Sequence, residues 1–250
     1  MKKHLFMPAA AALLSLPMIL SSCSDNDDTL NFASPTALVT VCPNDDGSWV
    51  MQLDDVTTLL PTNMPEAPFD GKEVRALVNY TETPLYTRTR DSGEEKTTIS
   101  VEVNWIDSIR TKLPVMITDF NDTQIFGNDP IEIINDWVTV AEDGYLTLRV
   151  RTKWSNPHSI HAINLVTGIN PDDPFDMELR HDAKGDLYGQ PGDALVAFNL
   201  NGLRHTDGDK VRLKIRWRSF TGEKNAEFDL QMRRQATVDP TGILYSRSVR

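Results

Sequence analysis

Short apolar runs cut at close intervals by glycine constrain this chain more than any other feature. Gly47, Gly71, Gly93, Gly127, Gly144, Gly168, Gly185, Gly208 and Gly222 separate stretches rich in Val, Ile, Leu, Thr and Trp. Beyond residue 22 no stretch carries several turns of unbroken 3.6-residue periodicity. Asp46-Gly47, Asp143-Gly144 and Asp207-Gly208 are hairpin dipeptides, because glycine accepts the positive φ that tight turns demand. The pattern predicts an all-β chain.

In the first half the runs predict strands at Thr36–Cys42, Ser48–Leu53, Thr57–Leu60, Glu73–Tyr80 and Thr98–Ile109. In the last of these, Val101, Val103 and Trp105 alternate with Glu102 and Asn104. Five such strands suggest a small barrel over residues 36–111. The prolines of Pro61–Asp70 and the charges of Thr87–Lys96 mark exposed loops. Residues 112–130 are polar and read as a link. Over residues 131–250 the strands are Ile131–Val140, Tyr145–Trp154, Ser159–Thr167, Asp176–Arg180, Ala194–Asn199, Val211–Trp217 and Ala226–Met232. Seven strands with one apolar face each point to a two-sheet β-sandwich. The tail from Thr237 alternates too weakly to assign.

Residues 1–22 are a different kind of segment. Lys2 and Lys3 precede an almost wholly apolar stretch, Leu5–Leu20, which ends in Ser21-Ser22 before Cys23. That is the layout of a secretory signal, and with Pro8 and Pro17 inside it the stretch falls short of the ~20 apolar residues a membrane-spanning helix needs. Leu20-Ser21-Ser22-Cys23 resembles the lipobox of bacterial lipoproteins, which implies cleavage before Cys23 and acylation of its side chain and new N-terminus. Ser24, Asp25, Asn26, Asp27 and Asp28 then resemble the acidic export signal of Bacteroidota outer-membrane lipoproteins. Residues 23–35 are expected to be the lipid anchor and tether, and the location to be the outer membrane, facing the cell exterior.

Loss of residues 1–22 takes the formal charge from −11 to −13, since Lys2 and Lys3 leave with them. Such acidity argues against a nucleic-acid partner, whose recognition starts from a basic surface. With Cys23 assigned to lipid, Cys42 has no intrachain partner and reads as a small buried hydrophobe.

Several segments resemble the NigD-like lipoproteins: Gly127-Asn128-Asp129-Pro130-Ile131, Gly144-Tyr145-Leu146, His161–Val166 and Glu178–Asp186, preceded by Leu53–Pro61 with Val56 where the family usually has glycine. The resemblance implies an OB-like N-terminal barrel and a C-terminal β-sandwich. The family takes its name from a bacteriocin operon, so the resemblance also implies a bacteriocin-associated immunity role.

Catalytic signatures are absent from the sequence: there is no phosphate loop, no nucleophile elbow, no His-Glu-x-x-His and no Cys-x-x-Cys. His158 and His161 fall on opposite faces if the segment is a strand, and Asp172-Asp173-Pro174 with Asp176 lacks a recognised calcium-loop spacing. No metal or cofactor is expected. Arg180–Asp186 is the densest polar run, explicable as a strand end with its turn. Two basic stripes remain. Val211, Leu213, Ile215 and Trp217 alternate with Arg212, Lys214, Arg216 and Arg218, while Arg149, Arg151 and Lys153 repeat the arrangement upstream. These seven cations are candidate contacts for an anionic envelope component, a glycan or a protein. The alternative is that Glu227, Asp229 and Gln231 of the neighbouring strand face the cations across a hairpin. The sequence thus predicts a lipid-anchored, non-enzymatic protein that acts by binding, with an envelope glycan- or protein-binding module and an uncatalogued hydrolase as the alternatives to immunity.

Overall fold

The computed structural model of the chain describes residues 37–91, 94–117, 125–156, 158–204 and 210–233, with side chains described for all but 86–91, 94 and 95. The signal, Cys23 and the tract Ser24–Asp28 lie outside these residues, as do Asp207-Gly208 and the tail from Thr237. Strands β1 (Ala37–Pro43), β2 (Trp49–Gln52), β3 (Thr57–Pro61), β4 (Val74–Asp91) and β5 (Glu94–Ser108) close a barrel in the order β1-β2-β3-β5-β4. The β3–β5 pairing is parallel and the rest are antiparallel. Val39, Val41, Met51, Leu59, Ala76, Val78 and Val101 fill the barrel and are fully buried.

One expectation fails here. Thr87–Lys96, whose charges suggested a loop, is paired backbone: β4 and β5 run as one long hairpin in register from Asp91↔Glu94 back to Ala76↔Ser108. Register shifts after Asn79 and Glu82 bend it. Charge does not by itself mark a loop, since a charged stretch can still be paired through its backbone.

The second half is a sandwich. Its strands are β6 (Arg110–Lys112), β7 (Val115–Met116), β8 (Glu132–Ile134), β9 (Val140–Glu142), β10 (Tyr145–Trp154), β11 (Ala162–Thr167), β12 (Asp176–Asp182), β13 (Gln190–Asn199), β14 (Lys210–Ser219) and β15 (Gly222–Gln231). One sheet runs β6-β13-β10-β8 with β9 also on β10, and the other β15-β14-β12-β11-β7. Leu146, Leu148, Val150 and Phe198 of the first sheet meet Leu165, Met177, Leu179, Leu213 and Ile215 of the second in one core. The segment 112–130, read as a link, supplies β7 and the buried Ile117, and β6 reaches Lys112. Ile131–Val140 is two strands, because Asp136 accepts from the Val138 N–H and turns the chain between β8 and β9. The β9–β10 turn is the one Asp143-Gly144 predicts: both residues have positive φ, 52° and 73°, and a Cβ on Gly144 would overlap the Asn201 side chain.

The barrel rests on the outer face of the first sheet. Leu38 of β1, Leu77 of β4 and Ile109 pack on Leu195 and Ala197, which alternate with the core-facing Val196 and Phe198. Strands at this junction are buried on both faces, so five consecutive residues of β1 and four of β10 lose contact with water. At its centre lies Arg75, 0% exposed. Its Nη1 donates to Thr40 Oγ1 at 2.9 Å, its Nε to Thr147 Oγ1 at 3.3 Å and its Nη2 to Glu142 at 2.5 Å. Beside it, Arg233 grips Asp143 with two donors and reaches Glu73 at 2.9 Å. Tyr145 donates to Glu73, and Thr40 donates to Asp143 at 2.6 Å.

Removing one partner of a buried ion pair leaves the other uncompensated, at a cost of about 3–5 kcal/mol. Arg75→Met is therefore expected to lower the unfolding free energy in urea by about 3 kcal/mol, the low end because Glu142 keeps a quarter of its surface. Arg75→Met with Glu142→Gln is expected to recover part of that loss. A single Arg75→Met as stable as the parent would show that the junction does not depend on this pair.

Candidate binding site

The two basic stripes face away from each other. Leu148 and Val150 of β10 and Leu213, Ile215 and Trp217 of β14 share the core, so the alternate residues point outward from opposite sheets. Arg149, Arg151 and Lys153 lie on the face that the barrel partly covers, and Arg212, Lys214, Arg216 and Arg218 on the open one. They do not form one surface, because the sandwich core lies between them.

Carboxylates meet most of these cations. Arg149 and Arg151 share Asp193 at 2.5 Å each, Arg149 also holds Asp136 at 2.7 Å, and Lys153 sits 5.5 Å from the Phe220 ring centroid. The Arg151 guanidinium, with Arg149 beside it, holds the Asp193 carboxyl down at about 2. On the open face the hairpin register sets Arg212 opposite Asp229 and Lys214 opposite Glu227. Arg212 bonds Asp229 at 2.9 Å, whereas Lys214 turns to Asp173 at 3.1 Å. Arg216 faces Asn225 across the hairpin and finds its carboxylates on the other side, Asp176 at 3.4 Å and Glu178 at 3.7 Å. Arg218 faces Glu223 without an ion pair to any described residue, and its Nη1 donates to the Asn128 carbonyl at 3.1 Å. Exposed pairs of this kind contribute ~0–1 kcal/mol each.

The motif residues of the second half gather into one knot. Asn128–Ile131 wedges between β12 and β14 where those parallel strands part, with Asp129 N–H donating to the His181 carbonyl at 2.8 Å and Ile131 N–H to the Arg218 carbonyl at 3.0 Å. Asp129 accepts from the Ala183 N–H at 2.8 Å, and a Cβ on Gly127 would collide with the His181 carbonyl. His181 Nδ1 lies 3.1 Å from the Pro130 carbonyl, which can only accept, so His181 Nε2 takes a proton from His161 Nδ1 at 2.9 Å. The His161 side chain is 2% exposed and stacks between Trp154 and His181, while His158 is exposed. Asp186 lies 3.6 Å from His161 Nε2 and accepts from the Ser155 hydroxyl and the N–H groups of Ser155 and Asn156. Serine, histidine and aspartate are together here, but the hydroxyl donates to the carboxylate and not to an imidazole, so nothing activates it as a nucleophile.

Two concavities are open to ligands. The larger, about 710 Å³, lies at the barrel–sandwich junction among Cys42, Gln52, Lys96, Lys210 and Arg233. Its floor is committed to the junction, and burial pushes the Cys42 thiol up to about 11, which leaves it protonated and unreactive at neutral pH. The smaller, about 230 Å³, opens on the free face of the second sheet among Asn128, Glu178, Arg180, Arg216, Arg218 and Glu223. Alternation alone marks Arg216 and Arg218. Asn128 and Arg180 join them only through the wedge between the strands. Among the described residues no group of three or more His, Cys, Asp or Glu side chains is placed to hold a metal ion. Asp173 and Asp176 are taken up by Lys214 and Arg216. No helix of the described residues is long and apolar enough to cross a membrane.

Residues 38–109 match the NigD-like N-terminal OB domain and residues 114–230 the NigD-like C-terminal beta sandwich domain. Among solved structures, a protein described as toxin-related, from Parabacteroides distasonis, is 31% identical over 78% of this chain and 92% of its own, with a TM-score of 0.62. A protein of unknown function from Bacteroides vulgatus is 18% identical over 82% and 96%, TM-score 0.56. A NigD-like immunity protein from Bacteroides caccae is 20% identical over 76% and 90%, TM-score 0.49. No curated protein matches the chain.

The knot makes stability depend on pH. Burial, with repulsion from His161, puts His181 below its ordinary 6.5, and the Ser155 hydroxyl with two backbone N–H groups holds Asp186 down at about 2. Both folded values are depressed, so both contributions are lost as pH falls: that of His181 from about 6.5 downward, and that of Asp186 between about 4 and 2. Unfolding midpoints measured from pH 7 to 3 are expected to fall throughout. In His181→Gln the loss between pH 6.5 and 5 should shrink, and a variant with the parent's slope there would exclude His181 as its source.

Proposed function

The chain belongs to the NigD-like protein family, and on that premise we propose that it is a lipid-anchored protein of the outer membrane, facing the cell exterior, that acts by binding and not by catalysis. The observation that carries the binding reading is the disposition of its polar side chains. The groups suited to chemistry are tied to one another: Ser155 to Asp186, His161 to His181, Arg180 to Glu178 and Cys42 as a protonated thiol. The open face of the second sheet instead presents a cationic strand, with Arg216 almost half exposed. In an acidic chain such a strand favours an anionic envelope component.

The anchoring half of the proposal rests on Leu20-Ser21-Ser22-Cys23 and the acidic run behind it. A second reading is favoured by the 31% identical, toxin-related protein: the bound partner is a bacteriocin and the outcome is immunity. Both readings need the protein at the surface, where an arriving toxin or a neighbouring glycan is met first.

Cys23→Ala is expected to abolish acyl labelling and to release the protein from the membrane fraction. Retention equal to the parent's would refute the lipid anchor. Replacing Asp25, Asp27 and Asp28 by Ala is expected to leave lipidation intact and to reduce cleavage by protease added to whole cells. Unchanged cleavage would leave these residues with no role in export.

A further inference from the structure

Strands β12 and β14 are parallel and in register from Asp176↔Lys214 to Leu179↔Trp217. The next residue on each is an arginine, Arg180 and Arg218, and there the strands part around the wedge. Both line one cleft, and neighbouring like charges are destabilising, so the fold gains nothing from bringing them there. Arg216, one rung of the same face away, brings a third.

The cleft between them is lined by three guanidinium groups and two carboxylates, Glu178 and Glu223, of which Glu223 faces Arg218 across the hairpin without an ion pair to it. Glu178 is used from both sides, by Nε and Nη2 of Arg180 and by Arg216 at 3.7 Å. Arg218 meets a single backbone carbonyl and no described carboxylate. Three guanidinium groups arranged around about 230 Å³ suit an oxyanion with several oxygens, since each planar fork can bond two of them. A carboxylate has oxygens for one fork, and a phosphate monoester has three terminal oxygens and close to two charges at neutral pH.

We propose that the cleft formed by Arg180, Arg216, Arg218 and Asn128 is a binding site for a phosphate monoester, for which glucose 1-phosphate is the probe. The inference rests on the binding reading above and gives it a ligand class. The phosphate sits at the mouth where the strands part, with Arg218 as its principal donor and Arg216 and Arg180 sharing it with Glu178.

The test is calorimetric titration of the mature lipidated protein in a non-ionic detergent with glucose 1-phosphate, inorganic phosphate, glucuronate and glucose. Glucose 1-phosphate is expected to bind, with affinity falling as salt rises because exposed charges are screened within ~10 Å at 0.1 M. Glucose and glucuronate should bind at least tenfold more weakly. Arg218→Glu should weaken glucose 1-phosphate more than tenfold, while Arg212→Glu, on the same strand face but outside the cleft, should not. Arg218→Gln, which keeps the first carbons of the side chain without its charge, guards against a folding defect, its thermal midpoint staying at the parent's value as binding falls. Binding of glucuronate as tight as that of glucose 1-phosphate would overturn the phosphate assignment, and tighter binding of inorganic phosphate would overturn the monoester. Undiminished glucose 1-phosphate binding by both Arg218 variants, or none by the parent, would remove the site. If the parent still binds isolated envelope material in that last case, the cleft assignment fails while the binding reading stands.

Discussion

A guanidinium with no exposed surface, that of Arg75, decides how the two halves of this molecule meet. An unpaired charge in such a place would be too costly to bury. Every nitrogen of Arg75 is therefore matched, one by the barrel's own Thr40 and two by Thr147 and Glu142 of the sandwich. Arg233, Asp143, Glu73 and Tyr145 extend the arrangement to the end of β15. Hydrophobic contact among Leu38, Ile109 and Ala197 supplies adhesion there. The polar lattice supplies direction, because only one register of barrel on sheet satisfies all of its donors. The Glu142 carboxyl is pushed up by burial, with the Arg75 charge opposing it, which marks how dry the junction is.

That docking sorts the sandwich's two outer faces. The first sheet gives its face to the barrel, and Arg149 and Arg151, next to the covered area, are neutralised by Asp193 and Asp136. The second sheet stays open. Along β14 the compensation weakens from one end to the other: Arg212 has two carboxylates, Lys214 and Arg216 borrow theirs from β12 and the loop before it, and Arg218 has none among the described residues. The gradient ends where the Asn128–Ile131 wedge parts the strands. The same wedge fixes Asp129 on the turn after β12 and Pro130 on His181. One short segment therefore builds both the cleft and the histidine knot behind it.

The sequence by itself determined the five strands of the barrel, the barrel-then-sandwich order and the inward face of β14, but it gave the sandwich seven strands where the structure has ten among the described residues. It also placed the Asp143-Gly144 turn. All of these follow from interactions between near neighbours: a side-chain period of two, and a positive φ at glycine. The opposition of Arg212 and Asp229 was legible too, since a short hairpin fixes its own register. Only the tertiary structure decided the rest. Arg75 lies 67 residues from Glu142, and Arg233 lies 160 from Glu73. Nothing local distinguishes a buried, paired arginine on an alternating strand from an exposed one. The charged stretch Thr87–Lys96 reads as a loop because loops and paired strands can share a polar composition. The two basic stripes repeat one pattern in the sequence and lie on opposite faces in the molecule, because alternation says which residues point outward but not toward which side of the sandwich. The parallel β12–β14 pairing joins strands distant in sequence, and it alone brings Arg180 to Arg218.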